Sequence, residues 1–108
     1  MVGTACGGAP PRVVQGGEAE RGPAAIARYG CGSCHVIPGI RSALGTVGPP
    51  LTEFGRRASI AGYLPNTADD LVVWIMKPQA IAPGNAMLDL GVDDRAARDI
   101  AAYLYAPR

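Results

Sequence analysis

Aromatic residues are scarce in this chain of 108 residues, which has one tryptophan, one phenylalanine and an aromatic content of 6%. Glycine and proline are abundant, with 15 and 10 copies. A single domain of this size and composition would have a thin core unless something other than side chains filled it. No apolar run approaches the roughly 20 residues of a membrane-crossing helix, so no such helix is expected.

An excess of charge of one sign is also lacking. Ten basic residues, of which only one is lysine, stand against nine acidic ones, and the formal net charge is +1. These charges are spread along the chain, whereas a nucleic-acid-binding domain needs a clustered basic face. No nucleic-acid partner is therefore expected.

The most informative segment is residues 31–35, Cys-Gly-Ser-Cys-His. The CxxCH pattern is typical of the covalent attachment site of a c-type haem. In such a site Cys31 and Cys34 form the two thioether bonds, and His35 is the proximal axial ligand of the iron. We therefore predict one covalently bound haem c per chain.

Other kinds of site share part of this pattern. A thioredoxin-type dithiol needs a βαβ context, and no strand-rich stretch flanks the motif. A Cys₃His zinc site with Cys6 would require the adjacent Cys34 and His35 to turn toward one ion. A disulfide between Cys31 and Cys34 would close too small a loop to stabilise the fold much. Haem attachment alone uses every residue of the motif.

Apolar periodicity and capping residues predict three helices, and no segment predicts a strand. The first helix spans residues 22–29, the second starts at Asn66 or Thr67 and runs to Lys77, and the third is capped at Asp93 and ends near Tyr105. Residues 36–65 are punctuated by Gly and Pro and are expected to form loops. The fold class is predicted to be all-α. Residues 1–17 are expected to be a flexible leader, and residues 18–108 the domain.

An electron-transfer haem needs a second axial ligand, and a methionine opposite the histidine raises the reduction potential. Met87 lies 52 positions after His35, in a loop that contains Pro83 and Gly84. Met76 lies inside a predicted helix, where a core role is the more common one. His35 and Met87 are therefore the predicted metal ligands; in the alternative, Met87 is a core residue beside a five-coordinate haem.

The chain from residue 18 to residue 105 resembles the class I c-type cytochromes, a bacterial mono-haem family. Four motifs carry the resemblance, in the family's order: residues 31–35, Gly48-Pro49-Pro50-Leu51, residues 83–87, and residues 100–104 before Tyr105. The resemblance implies a cytochrome c fold, in which short helices wrap one covalently bound haem and the N- and C-terminal helices cross. Gly22 and Ile26 would then contact Ile100 and Tyr103.

The resemblance implies three further cofactor-binding residues. The carbonyl of Pro49 would accept a hydrogen bond from the proximal histidine, and Arg56 would pair with a haem propionate. Arg56 has the alternative of being a solvated loop cation, with Arg57 in its place. Trp74 would pack near the methionine side of the haem, or would simply be a core residue.

The predicted function is that of a one-electron carrier and not an enzyme. Its donor would be a dehydrogenase or a quinol-oxidising complex, and its acceptor an oxidase such as a terminal oxidase. One alternative is a haem subunit permanently docked in a dehydrogenase or oxidase complex. Another is a five-coordinate haem enzyme or gas sensor, in which Met87 does not bind the iron.

The opening segment bears on the predicted location. Residues 1–8, with Cys6 after a small residue, resemble the end of a bacterial lipoprotein signal, although the aliphatic position is Gly3. Cys6 is either a lipid anchor to the membrane or an incidental free thiol. Because haem c is attached outside the bacterial inner membrane, the protein is expected in the periplasm.

Overall fold

The computed structural model describes residues 12–106, so Cys6 and most of the expected leader lie outside the described residues. The described elements are four α-helices, one two-stranded sheet and three short 3-10 turns. The helices are α1 (Gly22–Tyr29), α2 (Ala68–Met76), α3 (Pro78–Ile81) and α4 (Asp94–Tyr105). The strands are β1 (Ser59–Ile60) and β2 (Leu64–Pro65), and the turns are Ala19–Arg21, Cys31–Ser33 and Phe54–Arg56. No helix in this part of the chain is long and apolar enough to cross a membrane.

The three predicted helices are confirmed, because local capping chemistry fixes their ends. The hydroxyl of Thr67 accepts a hydrogen bond from the Asp70 amide at 3.1 Å, and the Asp93 carboxylate accepts one from the Ala96 amide at 2.7 Å. These are N-cap bonds to otherwise unpaired amides of the first helical turn. At the other end of α1, Gly30 has a φ of +73°, the left-handed conformation that glycine adopts readily after a helix.

The sequence analysis missed the short helix α3. The second helix is predicted to run to Lys77, and directly after it Pro78 occupies the first turn of α3. Proline is tolerated there because the first amides of a helix have no partner within the helix. Pro78 is also among the most deeply buried side chains of the described chain.

The predicted all-α class, a cytochrome c fold of short helices, is wrong, because β1 and β2 pair as an antiparallel sheet. Ile60 lies opposite Leu64 in the register. Between them, Ala61 and Gly62 have φ values of +53° and +80°, and the Tyr63 amide donates to the Ile60 carbonyl at 2.9 Å. Two consecutive positive φ values are typical of a type I′ hairpin turn. Ile60 is 1% exposed, so burial of this side chain holds the hairpin on the core.

The first and last helices pack closely on each other. A Cβ atom added at Gly22 would lie 2.3 Å from the Tyr103 Cβ, so only glycine allows the helices to approach this far. Ile26 and Ile100 are buried in the same core, at 1% and 3% exposed. The hydroxyl of Tyr103 donates to the Pro38 carbonyl at 2.6 Å and so ties α4 to the loop after residue 35.

The segment before the first 3-10 turn also contacts the rest of the chain. Val14 is buried, and the Arg98 guanidinium donates to the Gln15 carbonyl at 2.8 Å. The boundary between leader and domain near residue 18 stays a prediction.

Asp99 is a buried carboxylate that holds the chain entering α1 against α4. It accepts hydrogen bonds from the Glu18 amide at 2.8 Å and from the Arg21 guanidinium at 3.1 and 3.2 Å. Burial raises the pKa of Asp99, but these hydrogen bonds outweigh the burial, and the net pKa lies below its ordinary value. The ionised form is therefore the one that the folded chain favours.

Replacing this carboxylate should weaken the fold and remove part of its acid sensitivity. The folded pKa lies below the unfolded value of about 3.9, so Asp99 stabilises the fold above that pH and loses its effect as the pH falls through the folded pKa. We expect Asp99→Asn to lower the free energy of unfolding at pH 7 by about 1–3 kcal/mol. We also expect the variant to lose less stability than the parent as the pH falls below the unfolded value of about 3.9. Urea unfolding at several pH values measures both effects.

Asp94→Asn is the matched control, because Asp94 pairs with Arg98 on the surface of the same helix. An exposed pair of this kind contributes little. Equal effects of the two substitutions would contradict the role given to Asp99.

Candidate cofactor site

A cavity of about 640 Å³ opens between α1, α2, α4 and the loops that carry residues 30–37, 47–51 and 85–90. Its lining is mostly apolar, and its volume is in the range typical of small-molecule and cofactor sites. Ile26, Leu71, Ile75 and Ile100, which are also buried core residues, form its helical wall. The composition predicts a thin core, and in the described part of the chain the core residues surround a cavity.

Six of the seven predicted cofactor-binding residues line this one cavity, although they come from four separate parts of the sequence. They are Cys31, Cys34, His35, Pro49, Trp74 and Met87. Met76, by contrast, packs against the hydrophobic core and does not line the cavity. Of the two methionines in the described residues, Met87 alone can meet an occupant that also touches His35.

The structure does not bring Arg56 to the cavity. Arg56 is exposed, and its neighbour Arg57 lines the cavity instead. The Arg57 guanidinium donates to the carbonyls of Pro50 and Thr52 and lies over the Phe54 ring, 5.3 Å from its centre. Arg57 is therefore the cation at the cavity wall, and its hydrogen bonds to the carbonyls of the preceding loop hold it there.

Pro49 orients the His35 ring through a hydrogen bond. The His35 Nδ1 lies 2.8 Å from the Pro49 carbonyl oxygen. Because a carbonyl oxygen only accepts, the proton resides on Nδ1, and Nε2 of the neutral ring keeps its lone pair. The hydrogen bond therefore fixes the tautomer of His35 and leaves Nε2 as the ring nitrogen that can act as a donor to a bound group.

Gly48 is a site residue for which the sequence analysis gave no separate reason. A Cβ atom at this position would lie 2.3 Å from Cε1 and 2.8 Å from Nδ1 of His35. The imidazole therefore packs directly against the backbone of Gly48. Only a residue without a side chain leaves room for the ring there.

Cys31 and Cys34 are free thiols, half-buried at the wall of the cavity. A 3-10 turn places them, with the amides of Cys34 and His35 both donating to the Cys31 carbonyl at 3.1 Å. Burial raises the pKa of the Cys31 thiol, and the neighbouring Cys34 raises it further. Since metals bind the thiolate, a thiol that stays protonated at neutral pH is poorly prepared to bind a metal ion.

Trp74 and Tyr63 stack at one side of the cavity, with ring centres 6.1 Å apart and an angle of 18° between their planes. Trp74 is buried, whereas Tyr63 is 60% exposed. Tyr63 follows the turn of the hairpin, and the sequence analysis missed it because it missed the hairpin. Arg57, which also lines the cavity, entered the sequence analysis only as an alternative to Arg56.

No protein-family model matches the chain. Two curated relatives do, and both are named cytochrome c oxidase subunit 2. The protein of Alkalihalophilus pseudofirmus is 37% identical over 89 residues, which cover 80% of this chain and 25% of the relative. The protein of Bacillus sp. (strain PS3) is 35% identical over 65 residues, which cover 58% of this chain and 18% of the relative. The chain spans a quarter or less of the length of the curated relatives it matches.

Both relatives are named as subunits of a respiratory electron-transfer enzyme, so the similarity supports an electron-transfer role of that general kind. The family resemblance therefore holds at that general level, since the relatives are named as oxidase subunits and not as class I c-type cytochromes. The prediction of an electron-transfer protein that is not an enzyme is also corrected, because both relatives are named as subunits of cytochrome c oxidase, which is an enzyme.

The cofactor prediction is corrected as well. The relatives carry the name of an oxidase subunit and not of a haem c protein. Within residues 12–106, no group of three or more His, Cys, Asp or Glu side chains could hold a metal ion. These findings contradict the prediction of one covalently bound haem c per chain.

Filling the space under the His35 ring should displace it. We expect Gly48→Ala to push the imidazole away and to break its hydrogen bond to Pro49, since the added methyl would overlap the ring. The chain contains a single histidine, so the ¹⁵N NMR signals of the imidazole report this directly. In the parent protein the pattern should be that of a ring protonated at Nδ1, and in the variant this pattern should be lost.

Gly62→Ala serves as the control, because no heavy atom lies within 4 Å of the added Cβ. Its positive φ costs some stability, but His35 should be unaffected. An unchanged imidazole pattern in Gly48→Ala would show that the ring does not depend on this contact.

Proposed function

We propose that this chain is an electron-transfer module docked within a terminal oxidase complex, and that His35 and Met87 bind the metal of its redox cofactor. One observation carries the proposal: His35 and Met87, 52 positions apart in the sequence, line the same cavity of about 640 Å³. The similarity to subunits of cytochrome c oxidase supports the docked arrangement over a freely diffusing carrier.

The chemistry of the two donors suits one-electron transfer. An imidazole nitrogen and a thioether sulfur bind first-row transition metals, and the soft thioether favours the reduced ion. Apolar walls keep water away from the metal and so influence its reduction potential. Cys31, Cys34, Pro49, Trp74 and Arg57 also line the cavity, so the occupant that His35 and Met87 hold would contact these side chains as well.

Exposed apolar side chains surround the mouth of the cavity and provide a surface for docking. Val47 and Leu88 are each 66% exposed, and Leu90 is 45% exposed. All three line the cavity as well, so a protein that covers them would lie directly beside the cofactor. Desolvation of apolar surface, and not charge, would hold the two proteins together.

Placement on the periplasmic side of a bacterial membrane belongs to the same proposal, because a terminal oxidase is a membrane complex. A lipid anchor at Cys6 stays a prediction, since Cys6 lies outside the described residues.

Removal of either metal ligand tests the redox proposal. The protein purified from its native membrane should show a visible absorption that changes in a one-electron redox titration, together with bound metal by elemental analysis. We expect His35→Ala to lose most of the bound metal, since the fixed imidazole is the better donor. We expect Met87→Ala to keep the metal but to shift the potential to lower values, because a thioether ligand raises it.

Met76→Ala is the matched control and should leave the potential unchanged, since this methionine does not line the cavity. A native protein without any redox-active absorption would overturn the proposal. So would a Met87→Ala variant with the potential of the parent.

Docking through an apolar rim should resist salt. Because the charges of the chain nearly balance, raising the ionic strength from about 0.05 M to about 0.5 M should not release it from the other oxidase subunits. Leu88→Glu should weaken the association, whereas Lys77→Ala, which changes a charge away from the cavity, should not. Blue-native electrophoresis or gel filtration of solubilised membranes measures the assembly. Release by salt, or a native chain that migrates alone, would favour a free carrier.

A further inference from the structure

Met87 lies in an irregular segment between α3 and α4, where no helix or strand fixes its backbone. Gly84, three residues earlier, has a φ of +85°, and the side chain of Met87 is only half-buried. A ligand carried by such a loop would hold its position only if other groups fixed the loop.

Two side-chain amides supply those groups. The Gln79 Nε2 donates to the Met87 carbonyl at 2.7 Å and to the Asn85 carbonyl at 2.8 Å. The Asn85 Oδ1 accepts a hydrogen bond from the Met87 amide at 2.6 Å. Both backbone polar groups of Met87 are therefore held, one by each side chain.

The remaining atoms of both amides are also used, and they tie the loop to α3. The Gln79 Oε1 accepts from the Gly84 amide at 2.8 Å. The Asn85 Nδ2 donates to the carbonyls of Pro78 and Ala82 at 3.2 and 2.7 Å. A backbone N–H only donates and a carbonyl only accepts, so this pattern fixes which way round each amide lies.

We infer that Gln79 and Asn85 are positioning residues that hold the Met87 thioether at the wall of the cavity. This inference rests on the proposed function for its purpose, since it is as a metal ligand that Met87 needs a fixed place. Both residues act on the backbone of Met87. Asn85 also lines the cavity, whereas Gln79 does not reach it.

The oxidation of methionine to its sulfoxide by hydrogen peroxide tests this inference in the full-length protein. Peroxide supplies the oxygen atom to the thioether sulfur and leaves as water, at a rate that follows the exposure of the sulfur. Peptide mass spectrometry separates Met87 from Met76, so Met76 is an internal reference for general unfolding. We expect Gln79→Ala and Asn85→Ala each to raise the rate at Met87 by at least about fivefold, as the loss of a hydrogen bond would, with Met76 unchanged.

Two conservative variants separate the positioning of Met87 from a general disturbance of the fold. Asn85→Asp keeps an oxygen that accepts from the Met87 amide, so it should protect Met87 better than Asn85→Ala. Gln79→Glu loses the donor and sets a negative charge against two carbonyl oxygens, so it should behave no better than Gln79→Ala. Ala80→Ser, at an exposed position of the same helix, is the matched control and should leave both methionines as they are.

The inference is overturned if Met87 of the Gln79→Ala, Asn85→Ala double variant is oxidised at the parent rate. It is also overturned if the oxidation rate of Met76 rises in parallel. The peroxide rate reports the access of the oxidant to the sulfur, and the reduction potential is a separate readout, so the two claims can fail separately. Raised oxidation together with an unchanged potential in Met87→Ala would therefore support the positioning and refute the proposed ligand. In the expected case both readouts change, and the single amide variants also shift the potential toward that of Met87→Ala.

Discussion

The site depends on the backbone contact between residues 32–36 and residues 45–51. Three hydrogen bonds join these segments: Gly45 to Gly32 at 3.0 Å, Gly48 to Cys34 at 2.7 Å, and Leu51 to Val36 at 2.8 Å, in each case from an amide to a carbonyl. At Gly45 and Gly48 the two segments approach so closely that no side chain would fit. The imidazole of His35 is set by this pairing, because the second segment brings both Gly48 and the Pro49 carbonyl against the ring. The same pairing also forms this part of the cavity wall.

The same apolar side chains serve the fold and the site. Ile26, Leu71, Ile75 and Ile100 hold the helices together, and their other faces line the cavity. An occupant of the cavity would therefore add contacts to the core itself. Since a ligand that binds only the folded chain shifts the folding equilibrium, the stability of this protein is coupled to the occupancy of its site.

Local features could be read from the sequence, whereas features that arise from packing could not. The helix ends were predictable because Thr67, Asp93 and Gly30 act on their own neighbours in the chain. The hairpin was not, because each of its strands has two residues and its pairing is held by the burial of Ile60 in the core. Likewise, the choice between Arg56 and Arg57 depends on the direction of a 3-10 turn, which spacing alone does not define. The CxxCH motif indicated the donors around the cavity, but five residues do not define the group that they contact.

The stacked pair of Trp74 and Tyr63 gives the protein a built-in optical reporter. Trp74 is the sole tryptophan of the chain, and it lies in the cavity wall. Its emission therefore comes from one known place, within a few ångströms of any occupant. A coloured group in the cavity would accept the excitation energy and shorten the fluorescence lifetime, whereas an empty cavity would leave the indole bright. The loading of the purified chain can thus be followed without a label.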